Sequence, residues 1–367
     1  MTFKNVSAAF ALLGASALVL SGCAAAPEDA APTETSTETA AESEVPAVDF
    51  LACAVSDEAS FEDKSFNESV MDGLVRAEAE LGVQIGFAES DSAEQFGPNL
   101  QAMVDQACDI TFAVGFNLVA DANIAAAANP EVNFVTIDGF SEGNANLKPV
   151  NYAMNQSSYL AGYLAAAYST TKVVGTYGGL QIPAVTDFMD GFYYGAMAYG
   201  AEFGVEITVV GWDALTQSGS FIGGNTPFAP NSGESKAIAA TLITQGADVL
   251  FPVGGDQFGA VSAAITDAGI DGVMIGVDKD IALTSPEYAS LTLTSVEKRM
   301  SNAVYDIIAE LSAGGEFSGD PYVGTLANGG TGLSPFYEFD SKISDEVKVR
   351  LAEIEAGIIA EEVNPLG

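Results

Sequence analysis

The sequence predicts an α/β protein of two similar lobes, each an open parallel sheet wrapped by helices. Three observations carry that expectation. From Asp49 onward, short apolar runs alternate with longer amphipathic ones, the rhythm of strand–helix–strand units. The rhythm restarts near Lys172 and runs a second time. The 367 residues, 48% of them apolar, suffice for two domains with cores of their own.

Lys4 opens a targeting segment whose apolar run, Val6 to Leu20, is shorter than a membrane-spanning helix requires. It closes on Leu20-Ser21-Gly22-Cys23, which resembles the bacterial lipobox. Residues 1–23 are therefore expected to be a lipoprotein signal peptide and Cys23 the lipidation site. Residues 24–48 are Ala, Thr, Ser, Pro and Glu with almost nothing large and apolar, and read as a disordered acidic tether.

Strands are then expected at 50–55, 83–88, 110–114 and 133–137, with helices at 66–81, 93–107 and 118–128. Asn129-Pro130 stops the last of these helices. A small-residue-rich helix over 156–168 stands near the crossover. The second round places strands at 173–177, 206–210, 249–253 and 273–277, and helices at 184–203, 235–245 and 260–268. Residues 212–232 are too long for an ordinary connection and predict a surface excursion or part of a cleft rim. Trp212 within it is equally a cleft platform or a packing residue. A strand at 290–293, a helix from Ser295 to Leu311, an extended segment at 322–326, a glycine-rich loop at 328–332 and a helix over 343–359 complete the chain.

Composition excludes several functions. Twelve basic against 50 acidic residues give a formal charge of −38, and no basic patch is available for nucleic acid. Histidine is absent, which removes Ser-His-Asp and Cys-His catalysis, imidazole metal sites and histidine pH switches. No Asp-x-Asp-x-Asp loop is present either, so no metal, cofactor or catalytic residue is expected. Cys53 lies in the first strand and Cys108 just before the third. They are either a disulfide, which an oxidising compartment favours, or two buried thiols.

The loop Val55 to Glu68 joins the first strand to the first helix, at the strand end where open α/β sheets bind ligands. Ser65 and Glu68 have capping-box spacing, which puts Phe66 and Asn67 in the first turn. Phe66 is a stacking face or a core anchor; Asn67 offers an amide that both donates and accepts.

Asp63-Lys64-Ser65-Phe66-Asn67 with Gly73 resembles the signature of the basic membrane lipoproteins, the purine-nucleoside-receptor-like binding proteins of ABC transporters. Thr111 to Phe116, Phe134 to Asp138, Gly178 to Pro183, Asp187-Phe188, Gln245 to Val249, Gly254-Gly255, Ile275 to Asp278 and Leu293 to Arg299 match in the same order. The resemblance implies a type I periplasmic-binding-protein fold, two doubly wound lobes joined by a three-segment hinge with ligand in the cleft. It places the N-terminal lobe at 49–153 and 295–318, and the C-terminal lobe at 154–294 and 319–367. It further implies that Phe66 stacks on a purine, Asn67 bonds its edge, and Asp57 and Asp138 line the cleft. Asp278 would take ribose hydroxyls, Lys298 would reach in from the first turn of the returning helix, and Gly254-Gly255 would admit close backbone approach. One departure is the turn Asp256-Gln257-Phe258, bulkier and more polar than the family's glycine-rich one. Phe251, Phe258 and Trp212 compete for a second aromatic plate, with Phe251 preferred for its strand-end position.

The expected function is that of a monomeric, lipid-anchored binding protein on the extracytoplasmic face of the cell membrane, passing a nucleoside to an ABC permease. A simple sugar or other small polar ligand on the same fold is the alternative within that class. A surface receptor or adhesin without transport is the alternative outside it. A calcium-dependent nucleoside hydrolase would need the dense Asp motif that is lacking.

Overall fold

A computed structural model describes residues 46–367; Cys23, the signal peptide and most of the tether lie outside them. The chain opens with β1 (Leu51–Val55), α1 (Phe66–Leu81), β2 (Gln84–Ala88), α2 (Phe96–Asp105), β3 (Ile110–Val114), α3 (Val119–Ala128), β4 (Asn133–Ile137) and β5 (Leu147–Tyr152). The second round is α4 (Met154–Tyr168), β6 (Val173–Gly178), α5 (Pro183–Phe203), β7 (Thr208–Val210), the two-strand ribbon β8 (Trp212–Asp213) and β9 (Ser218–Gly219), α6 (Gly233–Thr244), β10 (Val249–Val253), α7 (Phe258–Ala268), β11 (Val273–Asp278), α8 (Ile281–Thr284) and β12 (Thr292–Lys298). It ends with α9 (Met300–Ser312), β13 (Tyr322–Gly324), β14 (Thr331–Leu333) and α10 (Asp345–Ile359).

Two six-stranded sheets result, ordered β13-β5-β4-β3-β1-β2 and β14-β12-β11-β10-β6-β7. Every pairing is parallel except β12 with β14. Central strands such as β3 and β10 are buried along their whole length, as strands covered by helices on both faces must be. The order reverses between β1 and β3 in one sheet and between β6 and β10 in the other. Those are the switch points where the loops after adjacent strands part and leave a crevice. The chain passes between sheets three times, after β5, after β12 and after β13.

Helices α4 and α5 cross closely. A Cβ on Gly162 would lie 2.0 Å from the Phe192 carbonyl oxygen, and one on Gly195 would lie 1.9 Å from that of Tyr159. Only glycine permits that approach.

Several sequence expectations need correction. The helix expected from Ser295 begins at Met300, because Thr292–Lys298 continues as a strand beside β11. That strand is buried at every position but Glu297, so it carries no alternation to read, and a register shift at Met274/Ile275 adds an irregularity near its start. Strand β5 was missed for its proline: Pro149 pairs with β4, but β13 joins only from Val150, so the missing N–H is not needed there. β13 belongs to the first sheet, so the first lobe's returning segment spans 300–324, not 295–318, and the second lobe resumes after Gly324. Part of the glycine-rich loop is strand β14.

Cys53 and Cys108 form a disulfide, with Cα atoms 6.0 Å apart, between β1 and the turn entering β3. The bond closes a loop spanning 55 positions. On chain-entropy grounds that constraint stabilises by about 4 kcal/mol. Cys53→Ser with Cys108→Ser should lower the unfolding free energy by about that amount, measured by urea titration against the oxidised parent.

Candidate functional site

The loops after the strands of both sheets enclose one cleft cavity of about 730 Å³, part of it open to solvent. The first sheet contributes Asp57 after β1, Gly115 to Asn117 after β3 and Asp138 after β4; α1 adds Phe66 and Asn67. The second contributes Val253 to Asp256 after β10, Asp278 at the end of β11 and Lys298 at the end of β12. Ile182, Val185 and Phe188 enter from the start of α5. Of the residues predicted from sequence, Asp57, Phe66, Asn67, Asp138, Gly254, Gly255, Asp278 and Lys298 all line this cavity.

Phe251 does not. It is fully buried behind the wall, its ring 6.2 Å from Phe188 and 5.4 Å from Phe192 on α5. A strand inside a covered sheet turns alternate side chains to its two helix layers, and Phe251 faces α5, not the strand-end crevice. Phe258 is buried and off the cavity as well. Trp212 is a packing residue, edge-on to Phe221 with its indole N–H donating to Asp190 at 2.8 Å. The aromatic rings that do line the cavity, besides Phe66, are Phe116, Phe188 and Phe228. Phe116 and Phe188 fall inside the family motifs, the first just before α3 and the second in the second turn of α5, and those motifs could have flagged them. Phe228 lies in the 212–232 excursion, where no periodic pattern marks an inward side chain.

The first helix is capped differently from the capping-box expectation. Ser65 makes no side-chain cap bond. Asp63 takes that role: its Oδ1 accepts from the backbone N–H of Ser65 at 2.9 Å and Glu68 at 3.0 Å, and its Oδ2 accepts from that of Asn67 at 2.9 Å. Burial nevertheless leaves its carboxyl above the ordinary carboxylate range. Ser65 is thereby free to cross the cleft, its hydroxyl donating to Asp278 at 3.0 Å.

The Asn67 amide donates to Asp57 at 2.8 Å and to Asp63 at 3.1 Å. Both its N–H groups are engaged, and its buried Oδ1 has no partner. This leaves a buried acceptor on a residue that lines the cavity with Phe66, a costly arrangement unless something donates to it.

Lys298 and Asp138 join the lobes at the floor. Their 2.6 Å ion pair is nearly dry, with side chains 3% and 9% exposed. The Lys298 ammonium also lies 5.2 Å from the Phe66 ring and 5.1 Å from that of Phe188. Lys298 reaches in from a strand end, not from a helical turn as expected. Asp138 and Asp278 both adopt left-handed backbone, at φ 57° and 66°, which aspartate tolerates better than most residues. Burial pushes the Asp278 carboxyl up to about 6, against the lowering effect of Lys298 and Ser65. Burial likewise pushes Asp57 up to about 6, against the Ala59 N–H and the Asn67 amide. Outside the floor, Lys279 bridges the lobes to Glu68 at 2.6 Å and Asp72 at 2.7 Å on α1.

These features define a two-lobed solute-binding protein that holds a small ligand between the lobes. The chain belongs to the Bmp family of PnrA-like ABC transporter substrate-binding proteins, whose model matches residues 50–219 and 229–363 and leaves 220–228 unmatched. Among curated relatives, it is similar to the ABC transporter nucleoside-binding protein BmpA of Lactococcus lactis, 29% identical and covering 97% of each chain. Basic membrane protein A of Borreliella burgdorferi is 25% identical over 88% of each. The fold resembles that of a solute-binding protein from Aeropyrum pernix, with TM-score 0.74 and 22% identity over 86% of this chain and 92% of that one. Another, from Conexibacter woesei, gives 0.64 and 18% over 86% and 98%. Family members are substrate-binding components that work with ABC permeases outside the cytoplasm; among the described residues no helix is long and apolar enough to cross a membrane.

Removing Lys298 would leave Asp138 buried beside Asp278 with no cation. Lys298→Met should cost about 3 kcal/mol, and adding Asp138→Asn should recover part of it. A double-mutant cycle by urea unfolding measures the coupling; purely additive losses would contradict a coupled pair.

Proposed function

We propose that the cleft binds a purine nucleoside, and that the protein, a monomer anchored through Cys23 on the extracytoplasmic face, delivers it to an ABC permease. The observation that carries this reading is that Phe66 and Asn67 line the cavity together while the Asn67 Oδ1 has no partner. A flat heterocycle on Phe66 would present edge N–H groups to that oxygen, satisfying a buried acceptor that otherwise has none. Asp278, at the far strand end, offers a carboxylate to the vicinal hydroxyls of a sugar, with Lys298 beside it to offset the charge. The printed name of the Lactococcus lactis relative supports the same ligand class.

Charge narrows the choice further. Five carboxylates, Asp57, Asp63, Asp138, Asp256 and Asp278, line the cavity against the single ammonium of Lys298. A phosphate would enter a field of its own sign, so nucleosides should bind and nucleotides should not.

Thermal unfolding tests this directly. Adenosine, guanosine or inosine near a hundredfold above Kd should add about 2.7 kcal/mol of stability and raise Tm by several degrees. The corresponding 5′-monophosphates should not. Phe66→Ala should weaken the response by at least about tenfold in affinity, the scale of one lost base–aromatic stack. A rise with free sugars alone would overturn the nucleoside reading while leaving the fold untouched.

Affinity should also depend on pH. Ionised Asp278 accepts two hydroxyl hydrogens, whereas the protonated acid has lost one acceptor. With its carboxyl near 6, the ionised fraction falls as pH drops through 6. Affinity should decrease roughly tenfold from pH 7 to pH 5, measured by calorimetric titration. For folding the sign is the reverse of the ordinary carboxylate. Because the folded state holds this proton more tightly than the unfolded chain, Asp278 costs stability increasingly as pH rises from about 4 to 6.

A further inference from the structure

The 212–232 excursion and the Asp256-Gln257-Phe258 turn are one structure. Residues 220–228 fall outside the part of the chain that the family model matches. Their entry is pinned to the end of β6, where Ile222 N–H donates to Gly178 O and Gly223 N–H to Gly179 O, each at 2.9 Å. Their exit is pinned to the turn after β10. The fully buried Gln257 donates through Nε2 to Ala229 O at 2.8 Å and Gly254 O at 3.0 Å, and accepts from Ser232 N–H at 3.2 Å. Asn231 N–H donates to Asp256 O at 2.7 Å.

Both anchors stand at the switch point of the second sheet, so the segment between them is held over the cleft. Phe228 is pressed onto the backbone of Gly179, where a Cβ would lie 2.4 Å from its ring. Phe228 and Pro230 form part of the cavity wall. Beyond them a second gap lies between Asn225–Pro230 and the first lobe's Asp57–Ala59 and Asn117. A glycine-rich turn in place of Asp256-Gln257 would supply no side chain to hold this segment.

We propose that Gln257 is a positioning residue that fixes the 220–228 segment, which the family model leaves unmatched, as a specificity wall. Through Phe228 and Pro230 the wall limits the size of ligand accepted at the Asp57–Asn117 end of the cavity. The proposal rests on the nucleoside reading, in which the base edge faces Asp57 and Asn67. Substituents on that edge run into the wall, so the protein selects nucleosides with small exocyclic groups.

The test is calorimetric titration of the protein with adenosine and N6-benzyladenosine. The wild type should prefer adenosine by about tenfold or more. Gln257→Glu keeps the acceptor for Ser232 and loses the amide donor to Ala229 and Gly254. It should cut that preference severalfold, as should excision of 220–228. A merely structural role for Gln257 would lower Tm and leave the ratio alone. An unchanged ratio in variants that still bind adenosine overturns the wall and leaves the nucleoside reading standing, and so does a wild type without the preference. Failure of the wild type to bind either nucleoside overturns both. If the excised form does not fold, Gln257→Glu decides alone.

Discussion

Everything in the cleft is arranged around one buried cation. Lys298 is the single ammonium among the five carboxylates that line the cavity. It pairs with Asp138 from the opposite lobe, and its charge partly offsets the desolvation of Asp278. Such a cluster is tolerable only where the geometry leaves no carboxylate far from a donor. The remaining donors are backbone, amide and hydroxyl groups: three N–H groups on Asp63, one on Asp57, the Asn67 side chain shared between them, the Ser65 hydroxyl on Asp278 and the Asn231 amide on Asp256. Among the cavity-lining side chains, the buried atoms left without a partner, Asn67 Oδ1 and Asp256 Oδ1, are both acceptors.

The fold makes this arrangement inexpensive to build. Strands of a parallel sheet all end on one edge, so residues far apart in sequence reach one crevice without any loop crossing the core. Asp57, Asp138, Asp278 and Lys298 each stand at or just beyond the end of a different strand. Two such edges facing each other give a cavity whose walls belong to separate bodies. Ser65 to Asp278, Lys298 to Asp138 and Lys279 to Glu68 and Asp72 are all contacts between those bodies. The same contacts that shape the site therefore also set how firmly the lobes hold together.

Much of the site was legible because strand ends are legible. An apolar run followed by Asp, as in Phe134 to Asp138 and Ile275 to Asp278, announces both the strand and the residue that leaves it. Two of the failures, at Phe251 and at Ser65, turn on contacts that no local pattern records. Phe251 has the right residue type on the right strand, but side-chain direction within a fully covered strand is set by the neighbouring helices. Ser65 and Asp63 are both plausible caps two residues apart, and only the position of Asp278 across the cleft shows which one is free.

From its sequence alone, this chain determined its alternating architecture, its two lobes and the aspartates and lysine at the strand ends. Those follow from local apolar periodicity and from where it breaks, which nearest neighbours along the chain decide. Only the tertiary structure decided that Lys298 ends a strand, that Phe228 and not Phe251 lines the cavity, and that Gln257 bonds to the backbone of Ala229 and Ser232. Each of those depends on contacts between residues far apart in sequence or on different elements, a register shift, a covering helix or a buried amide, and none leaves a local pattern to read.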